Sequence, residues 1–268
     1  MTLLPLTTVY GRIRPGIRIL MYHRVDRLPY YDQLTISPEL FEQHMAYLAA
    51  HQRVISLSQA VDELSSAEKI RPAVVVTFDD GYRDNLLHAL PILERYKIPA
   101  TIFVTTQFCD QTHRHPRYAS TAQPLHVNWG EAIDLSRHHG ITLGSHSVSH
   151  PYLSRLSDQQ AEFEISGSRR LIQEKTGIAI DFFCYPSGDY CRRESGYAKQ
   201  AGYLGAVTVA PGTNRKTTPL YELYRTEVTQ NDSVTDLKHK LSGAFDPLHM
   251  LLHWRRRGAF ARLRNQIK

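Results

Sequence analysis

Two short polar motifs carry the residues whose types and spacing could do chemistry. The first is TFDDGY at residues 77–82, in which the adjacent carboxylates Asp79 and Asp80 follow a β-rich run and precede a glycine. Neighbouring side chains of a strand point in opposite directions, so we expect one carboxylate to be a metal ligand and the other a general base. Asp-Gly is also common in turns and at helix starts, so this motif alone leaves a purely structural role open.

The second motif is GSHSVSHP at residues 144–151, where His146 and His150 stand four positions apart in a turn-rich segment. Two histidines at this spacing on a turn can converge on one metal ion. Ordinary surface histidines are the alternative, since the chain contains 14 histidines. Together with Asp80, the two imidazoles would leave coordination positions for water and substrate, which is typical of a catalytic rather than a structural metal site.

A third motif, FFCYPSG at residues 182–188, predicts a strand that runs into a proline–glycine turn. Such a turn leaves backbone N–H groups free to face a ligand, and free N–H groups can hold a developing oxyanion. The residues concerned are Tyr185, Pro186 and Ser187. The pattern has little specificity on its own.

The elements that must position these motifs are predicted to alternate between strands and helices. Repeated strand–helix–strand units favour a parallel sheet, and about seven of them favour an α/β fold closed into a (β/α) barrel. Each motif then falls at the carboxyl end of a strand, where parallel barrels carry their chemistry. The predicted strands are residues 17–22, 74–78, 101–105, 141–144, 182–185, 204–209 and 224–228.

Several local signals place the intervening helices. Ser37 as N-cap and Pro38 at the first helical position predict one helix start. Further helices are predicted at residues 86–96, 131–139, 158–176 and 195–201, the last three followed by Gly140, Gly177 and Gly202. The polar segment from Gln107 to Val127 is predicted to be a long loop at the motif-bearing end of the barrel. Contact with substrate and a loop that is merely mobile both remain open.

Composition limits the class of protein. The chain has 268 residues, 42% hydrophobic and 22% charged, which is enough apolar material for a sizeable core. Its cysteines, Cys109, Cys184 and Cys191, form no C-x-x-C pair, so we expect buried or idle thiols rather than disulfides or a zinc knuckle. Residues 1–19 lack the features of a signal peptide, and no apolar run is long enough to span a membrane, so we expect a cytoplasmic location.

The basic charge is concentrated at the C-terminus. Residues 253–268 contain six basic side chains and no acidic one, and the rest of the chain is neutral overall, which argues against a nucleic-acid-binding surface. We therefore expect a barrel domain at residues 1–242 and a basic amphipathic segment at residues 243–268. Leucines and Trp254 within residues 245–268 suit one face of a helix. Peripheral binding to an anionic membrane and packing against the barrel both remain open.

The order of TFDDGY, GSHSVSH and FCYPSG, with Trp129 opening the helix before the second motif, resembles the polysaccharide deacetylase family, carbohydrate esterase family four. The resemblance covers roughly residues 17–230. It implies an irregular (β/α) barrel and removal of N-acetyl groups from a polysaccharide, oligosaccharide or lipid-linked glycan that contains N-acetylhexosamine. It also implies one divalent metal ion, usually zinc.

The same resemblance assigns roles to residues. Asp80, His146 and His150 would bind the metal ion, and Asp79 would be the general base that activates water. The backbone N–H of Ser187 would stabilise the oxyanion. Many members have an aromatic residue where Ser187 stands, but the role there belongs partly to the backbone.

Two departures from the family pattern concern the partners of the reaction. Many members have an arginine in the third motif that orients the catalytic aspartate, whereas the corresponding place here is apolar, around Cys184. Arg225 looks like its substitute, as in the branch that deacetylates poly-N-acetylglucosamine. The usual C-terminal histidine acid is not evident, since His249 and His253 fit that pattern poorly. In the branch that deacetylates poly-N-acetylglucosamine, the strand that carries this histidine is moved to the N-terminus. The resemblance therefore makes His23 the candidate general acid.

Three other classes of protein remain as alternatives. An O-acetyl esterase could use the same site, and a catalytically weak carbohydrate-binding relative would result if His23 or Arg225 were wrongly assigned. A non-haem iron oxygenase also uses two histidines and one carboxylate. Its H-x-D/E pattern and alternating strands are not found in this sequence.

Overall fold

Nine strands are formed in the computed structural model, which describes residues 16–66, 69–113, 117, 124–246 and 250–251. They are β1 (Ile17–Tyr22), β2 (Arg24–Val25), β3 (Thr35–Ile36), β4 (Ala73–Phe78), β5 (Ala100–Val104), β6 (Ile141–Ser145), β7 (Phe182–Cys184), β8 (Gly205–Val207) and β9 (Thr226–Glu227). Seven of them form one sheet in the order β8-β7-β6-β5-β4-β1-β9, and all of its pairs are parallel. The predicted parallel sheet is confirmed.

One short segment joins the two edges of this sheet. Leu223 forms a parallel bridge to Val207 in β8, and three residues later Thr226 pairs with Leu20 in β1. The sheet therefore curls into an irregular barrel, as expected. The predicted last strand, residues 224–228, is shorter than expected because only Thr226 and Glu227 pair as a strand.

The helices lie between the strands of this barrel. Ser37 caps the first helix as predicted, because its side chain accepts a hydrogen bond from the N–H of Leu40. Two helix predictions were wrong in their bounds. The helix before β6 starts at Trp129 and ends at Arg137, before Gly140 is reached, because His138 is already extended. The helix predicted at residues 195–201 starts three residues earlier, at Arg192, and ends at Gln200. The helices are α1 (Pro38–His51), α2 (Leu57–Ser65), α3 (Leu90–Tyr96), α4 (Thr106–Cys109), α5 (Trp129–Arg137), α6 (Asp158–Glu162), α7 (Ser168–Thr176), α8 (Arg192–Gln200) and α9 (Val234–Ser242).

Two π-helical turns interrupt the predicted helices. One, Asn85–Ala89, precedes α3 directly, and the other, Phe163–Gly167, lies between α6 and α7. The helix predicted over residues 158–176 is therefore formed, but with a wider turn in its middle; Gly177 ends it in the left-handed conformation, φ 71°. Such turns occur often at functional sites because they change the direction of side chains.

The two faces of the sheet are buried in separate apolar clusters. Val74, Val76 and Phe78 of β4 pack on the helices outside the barrel, while Val75 belongs to the smaller cluster within it. Because side chains alternate along a strand, Thr77 shares the inner face with Val75. The inner cluster also contains residues of α2 and of the other strands and their connections, among them Leu57, Val61, Ile17, Ile19, Phe103, Phe182, Cys184, Val207 and Leu223.

The C-terminal segment is described only in part. Arg18 in β1 forms a two-contact ion pair with Asp246, at 3.1 and 2.7 Å, so the chain just after α9 is attached to the barrel. Most of the predicted amphipathic segment lies outside the described residues. Within the ranges given above, none of the helices combines the length and the apolar character that crossing a bilayer requires.

Candidate active site

The three motifs and His23 all follow strands of the barrel at its carboxyl end. Asp79 and Asp80 follow β4, His146 follows β6, Tyr185 follows β7 and His23 follows β1. These strands are not all neighbours in the sheet, so it is the curl of the barrel that brings their ends to one rim.

Asp79 is clamped by Arg225 inside the barrel. Nη1 and Nη2 of Arg225 each donate to one carboxylate oxygen of Asp79, both at 2.6 Å. The remaining N–H groups of the guanidinium reach Thr208 O at 2.8 Å, Thr77 Oγ1 at 3.1 Å and Cys184 Sγ at 3.1 Å. All five donors of the fully buried guanidinium therefore have an acceptor, which fixes its plane and the carboxylate with it.

The charge of Arg225 also sets the protonation of Asp79. Burial raises the pKa of this carboxyl, but the guanidinium charge and its hydrogen bonds, with smaller contributions from His146 and His23, hold the pKa below its usual value. Asp79 is consequently an ionised, oriented carboxylate at neutral pH.

Asp80 points elsewhere for a reason that the sequence argument did not identify. We expected strand alternation to separate the two carboxylates, but β4 ends at Phe78 and both lie beyond it. Asp80 instead adopts the left-handed conformation, φ 68°, followed by Gly81 at φ 62°. It is this sharp turn that aims Asp79 at Arg225 and Asp80 at the histidines.

His146 and His150 converge on Asp80. The Nε2 atoms of both imidazoles lie 3.4 Å from Oδ1 of Asp80, and their rings are 4.8 Å apart. Nδ1 of His146 is 2.8 Å from the carbonyl of Cys184, so this nitrogen carries the proton and Nε2 keeps its lone pair towards Asp80. His146 is buried and the side chain of His150 is 11% exposed, which leaves an approach on the side of His150.

These three residues fit a divalent metal ion. One ligand atom from each of Asp80, His146 and His150 lies within 4.8 Å of the other two, and 3.4 Å is long for hydrogen bonds but suitable for atoms that surround one ion. Two imidazoles and one carboxylate are a typical catalytic zinc set. The carbonyl that holds Nδ1 of His146 is the kind of outer partner that orients metal-binding histidines.

A second group, Asp79, His146 and Cys184, satisfies the same distance criterion. Arg225 contacts both oxygens of Asp79 and the sulfur of Cys184, so a metal ion there would have to displace a fully buried guanidinium. We therefore favour the set centred on Asp80.

Cys184 is a site residue that the sequence analysis missed. We expected an idle thiol, and all three cysteines are indeed free. The Cys184 thiol, however, lies 3.5 Å from Asp79 Oδ2 and accepts from Arg225. Burial raises its pKa despite the positive charge of Arg225, so it is a neutral thiol. Many family members carry an arginine at the position of Cys184. The cysteine was therefore the signal in the sequence, because a small residue there leaves room for Arg225.

The third motif forms a tight turn with a left-handed residue at its tip. Ser187 has φ 54° and Gly188 φ 66°, and a Cβ on Gly188 would stand 2.2 Å from Cγ2 of Val209. The N–H groups of Gly188 and Asp189 donate to Tyr185 and Pro186, whereas the N–H of Ser187 has no acceptor in the described part of the chain. Ser187 is an exposed residue, and its role as an oxyanion donor stays a prediction.

His23 lies beside Asp79. Tyr22 at the end of β1 pairs with Phe78 at the end of β4. His23 follows β1 and Asp79 follows β4, so the two residues are neighbours, and the N–H of Asp79 donates to Tyr22 O. Nδ1 of His23 is buried and has no hydrogen-bond partner among the described residues. The structure thus brings His23, Asp79 and Arg225 to one side of the site and the three proposed ligands to the other.

Aromatic residues form one wall of the site. The ring of His126 stacks between Tyr82, at 4.8 Å, and Phe108, at 4.3 Å, and Phe108 is 6.1 Å from the ring of His150. Phe108 and His126 come from the two ends of the segment predicted as a long loop, so its described parts do reach the site. Residues 114–116 and 118–123 of that segment are outside the described residues.

Comparison with known proteins identifies the family. Residues 66–206, just over half of the chain, match the sequence pattern of the polysaccharide deacetylases. The chain belongs to the polysaccharide deacetylase family. This assignment confirms the resemblance seen in the sequence. Together with the parallel barrel, it argues against the non-haem iron oxygenase considered above.

Individual relatives agree with the family assignment. YxkH of Bacillus subtilis (strain 168), named as a polysaccharide deacetylase, is 28% identical over 213 residues, which are 79% of this chain and 71% of that protein. Among solved structures, the deacetylase PplD of Streptococcus pyogenes in complex with acetate has a TM-score of 0.75 and 24% identity, covering 85% of this chain and 99% of that one. IcaB from Ammonifex degensii has a TM-score of 0.70 and 22% identity over 85% of this chain and 98% of that one. At such identities the structures support the fold of this deacetylase family member, and its substrate has to be argued from the site.

Proposed function

We propose that the protein is a metal-dependent hydrolase that removes N-acetyl groups from a glycan containing N-acetylhexosamine. The observation that carries this proposal is the division of labour at the end of β4: Asp80 faces His146 and His150 at 3.4 Å, while Asp79 is held ionised by Arg225 at 2.6 Å. Metal ligands and a carboxylate base thus sit next to each other without competing.

The residues of the ligand set suggest the ion and its purpose. Asp80, His146 and His150 would hold zinc or another divalent ion, which when bound supplies Lewis-acid activation of water and of the acetyl carbonyl. Asp79 would take the proton from the attacking water. Arg225 would keep Asp79 ionised and turned towards the reacting atoms.

The other groups serve the tetrahedral intermediate and the leaving amine. The N–H of Ser187, which has no acceptor among the described residues, would donate to the oxyanion. His23, beside Asp79, would protonate the departing nitrogen. An amide needs this protonation more than an ester does, because an amine leaves poorly as an anion. A positioned acid therefore favours N-acetyl over O-acetyl substrates. This preference agrees with a structural relative described as a de-N-acetylase from Aggregatibacter actinomycetemcomitans. That structure has a TM-score of 0.71 and 20% identity over 84% of this chain and 99% of that one.

Acetate release from short N-acetylglucosamine oligomers, and from an O-acetylated sugar for comparison, tests the proposal. We expect release from the N-acetylated substrate that stops with a chelator and returns when zinc is added back. Activity indifferent to chelation would contradict metal dependence, and faster release from the O-acetylated sugar would favour the esterase alternative.

Two neighbouring variants test the separate roles of the two aspartates. Asp79→Asn should keep its bound metal but lose about 10²–10⁴-fold in kcat, the usual contribution of a general base. Asp80→Asn should lose metal as well as activity. Metal content by elemental analysis distinguishes the two; equal metal loss in both variants would contradict the division of labour.

A further inference from the structure

Glu164 is a buried carboxylate that contacts the segment between the two candidate histidine ligands. Its Oε2 accepts from the N–H groups of Val148 and Ser149, at 2.8 and 2.9 Å, and its Oε1 accepts from the Ser149 hydroxyl at 2.7 Å. The whole residue is 8% exposed. Three donors from two consecutive residues thus converge on one side chain.

The carbonyl groups of the same segment are held from the opposite side. Gln107 N–H donates to Val148 O at 3.0 Å, Thr106 N–H to Ser147 O at 3.3 Å, and the Thr105 hydroxyl to His146 O at 3.0 Å. Thr105 and the first residues of α4 therefore fix the carbonyls, and Glu164 fixes the N–H groups. Without Glu164, the segment would be attached along only one of its edges.

The conformation between the histidines needs such support. Ser147 and His150 both have positive φ, 69° and 59°, which is unfavourable for residues other than glycine. Strained backbone of this kind persists only where its surroundings impose it. The N–H of His150 donates back to Ser147 Oγ, at 3.0 Å, which forms a compact loop but does not attach it to the barrel.

Glu164 itself is rigidly mounted. It lies in the π-helical turn Phe163–Gly167, and Ile165 O in that turn accepts from Tyr203 at 2.9 Å and from Ser168 at 2.9 Å. Ser145, which immediately precedes His146, donates to Ser168 Oγ at 2.7 Å. The turn that carries Glu164 is thereby tied to the end of β6, from which the histidine segment starts.

We propose that Glu164 is a positioning residue for the metal site: by accepting from Val148 and Ser149 it holds His150 at the distance from His146 and Asp80 that metal binding requires. This inference rests on the proposed function, because it presupposes that the three residues bind a metal ion. The role is carried by the acceptor geometry of the side chain rather than by its charge.

Zinc affinity of the full-length protein, measured by competition with a chromophoric chelator, tests the inference without using activity. Glu164→Met keeps an unbranched side chain but removes both acceptors, and should bind zinc about 10–100-fold more weakly, the usual loss for partners of metal ligands. Glu164→Gln keeps an acceptor for the two N–H groups, and its NH₂ can donate to the Ser149 hydroxyl. We expect it to retain most of the wild-type affinity.

Asp232 offers a matched control. It is also 8% exposed and accepts from a backbone N–H and a hydroxyl of one residue, Thr229, at 2.6 and 3.0 Å, and from Lys240. Asp232→Leu should lower the thermal unfolding temperature as much as Glu164→Met does, yet leave zinc affinity unchanged. If Glu164→Met does not fold, Ser149→Ala, which removes one of the three donors, should still weaken zinc binding.

Four outcomes would overturn the inference. Wild-type zinc affinity in Glu164→Met, or in Ser149→Ala where the methionine variant does not fold, would show that the carboxylate does not position the ligands. Equal losses in Glu164→Met and Glu164→Gln would assign the effect to charge, and an equal loss in Asp232→Leu would assign it to general instability. A wild-type protein that binds no zinc would overturn the proposed metal-dependent function as well, which separates that failure from failure of the inference alone.

Discussion

Arg225 and Asp79 form a bidentate ion pair with both nitrogen–oxygen distances at 2.6 Å, although 146 positions separate them in the chain. Arg225 belongs to the short segment that bridges β8 and β1, so the closure of the barrel and the orientation of the candidate base depend on the same residues. An arginine from another part of the barrel thus takes the place that Cys184 leaves open, and its side chain remains entirely buried.

Arg225→Lys should lower kcat, but by less than the about 10²–10⁴-fold expected for loss of the base itself, because lysine keeps the charge but cannot hold both carboxylate oxygens. The pH profile should move as well. Burial raises the pKa of Asp79 and Arg225 lowers it, so a weaker partner lets the pKa rise. A base must be ionised to act, so the acidic limb of kcat/KM should shift to higher pH.

The matched control for that change is Arg18→Lys. Arg18 also makes a two-contact ion pair, with Asp246, but it lies in β1 away from the carboxyl end of the barrel. Its substitution should leave the acidic limb where it is in the wild type. An unmoved limb in Arg225→Lys would mean that Arg225 does not set the ionisation of the base.

His23→Gln should lose about 10²–10⁴-fold in kcat on N-acetylated sugars, as expected for loss of a general acid. The loss should be much smaller for an aryl acetate, whose phenolate leaves without protonation. Asp79→Asn, by contrast, should be impaired on both substrates, since both need the attacking water. His88→Gln, a half-buried histidine in the nearby π-helical turn, serves as control. Equal impairment of His23→Gln on the two substrates would argue against its role as an acid.

The stability of the protein should fall as the pH drops below about 6.5 because of His44. This fully buried histidine contacts the Tyr22 hydroxyl at 3.1 Å and Asp232 O at 2.7 Å, and burial lowers its pKa from the ordinary 6.5. Between its unfolded and folded pKa values the unfolded chain binds the proton more readily, so each step to lower pH favours unfolding. One histidine contributes at most about 1.4 kcal/mol per pH unit.

Urea unfolding between pH 5 and 8 measures this slope. His44→Gln should be less stable than the wild type above pH 7 but should show a shallower decline towards pH 5. His51→Gln, an exposed position at the end of the same helix, should keep the wild-type slope. Parallel slopes in His44→Gln and the wild type would assign the pH dependence to other groups.

Removal of residues 252–268 tests the predicted membrane segment. Truncation after Leu251 keeps the Arg18–Asp246 ion pair, so the barrel should stay intact. The removed residues include all six basic side chains of the C-terminus, and each is worth about 1 kcal/mol near an anionic surface. Sedimentation with anionic vesicles should show binding by the full chain, little by the truncated chain and none to neutral vesicles. Undiminished binding after truncation would refute a membrane role for this segment.

The positions of the strands and of the three motifs followed from local patterns. Nearly continuous apolar runs such as Val74 to Phe78 predict buried parallel strands, and the glycine and proline residues that follow them predict where each strand ends. Helix interiors were less predictable: the π-helical turns at Asn85–Ala89 and Phe163–Gly167 differ from ordinary helix by one residue of spacing, which periodicity does not detect.

Local patterns were enough to place Asp79, Asp80, His146 and His150 at strand ends, since strand periodicity and turn residues are properties of short segments. Which of these side chains meet is a property of the folded barrel. The pairing of Asp79 with Arg225 and the position of the Cys184 thiol beside them depend on strand register and on closure of the barrel. Those contacts join residues that are far apart in the chain. Their distances are set by the curl of the sheet, which the spacing of residues along the sequence does not reveal.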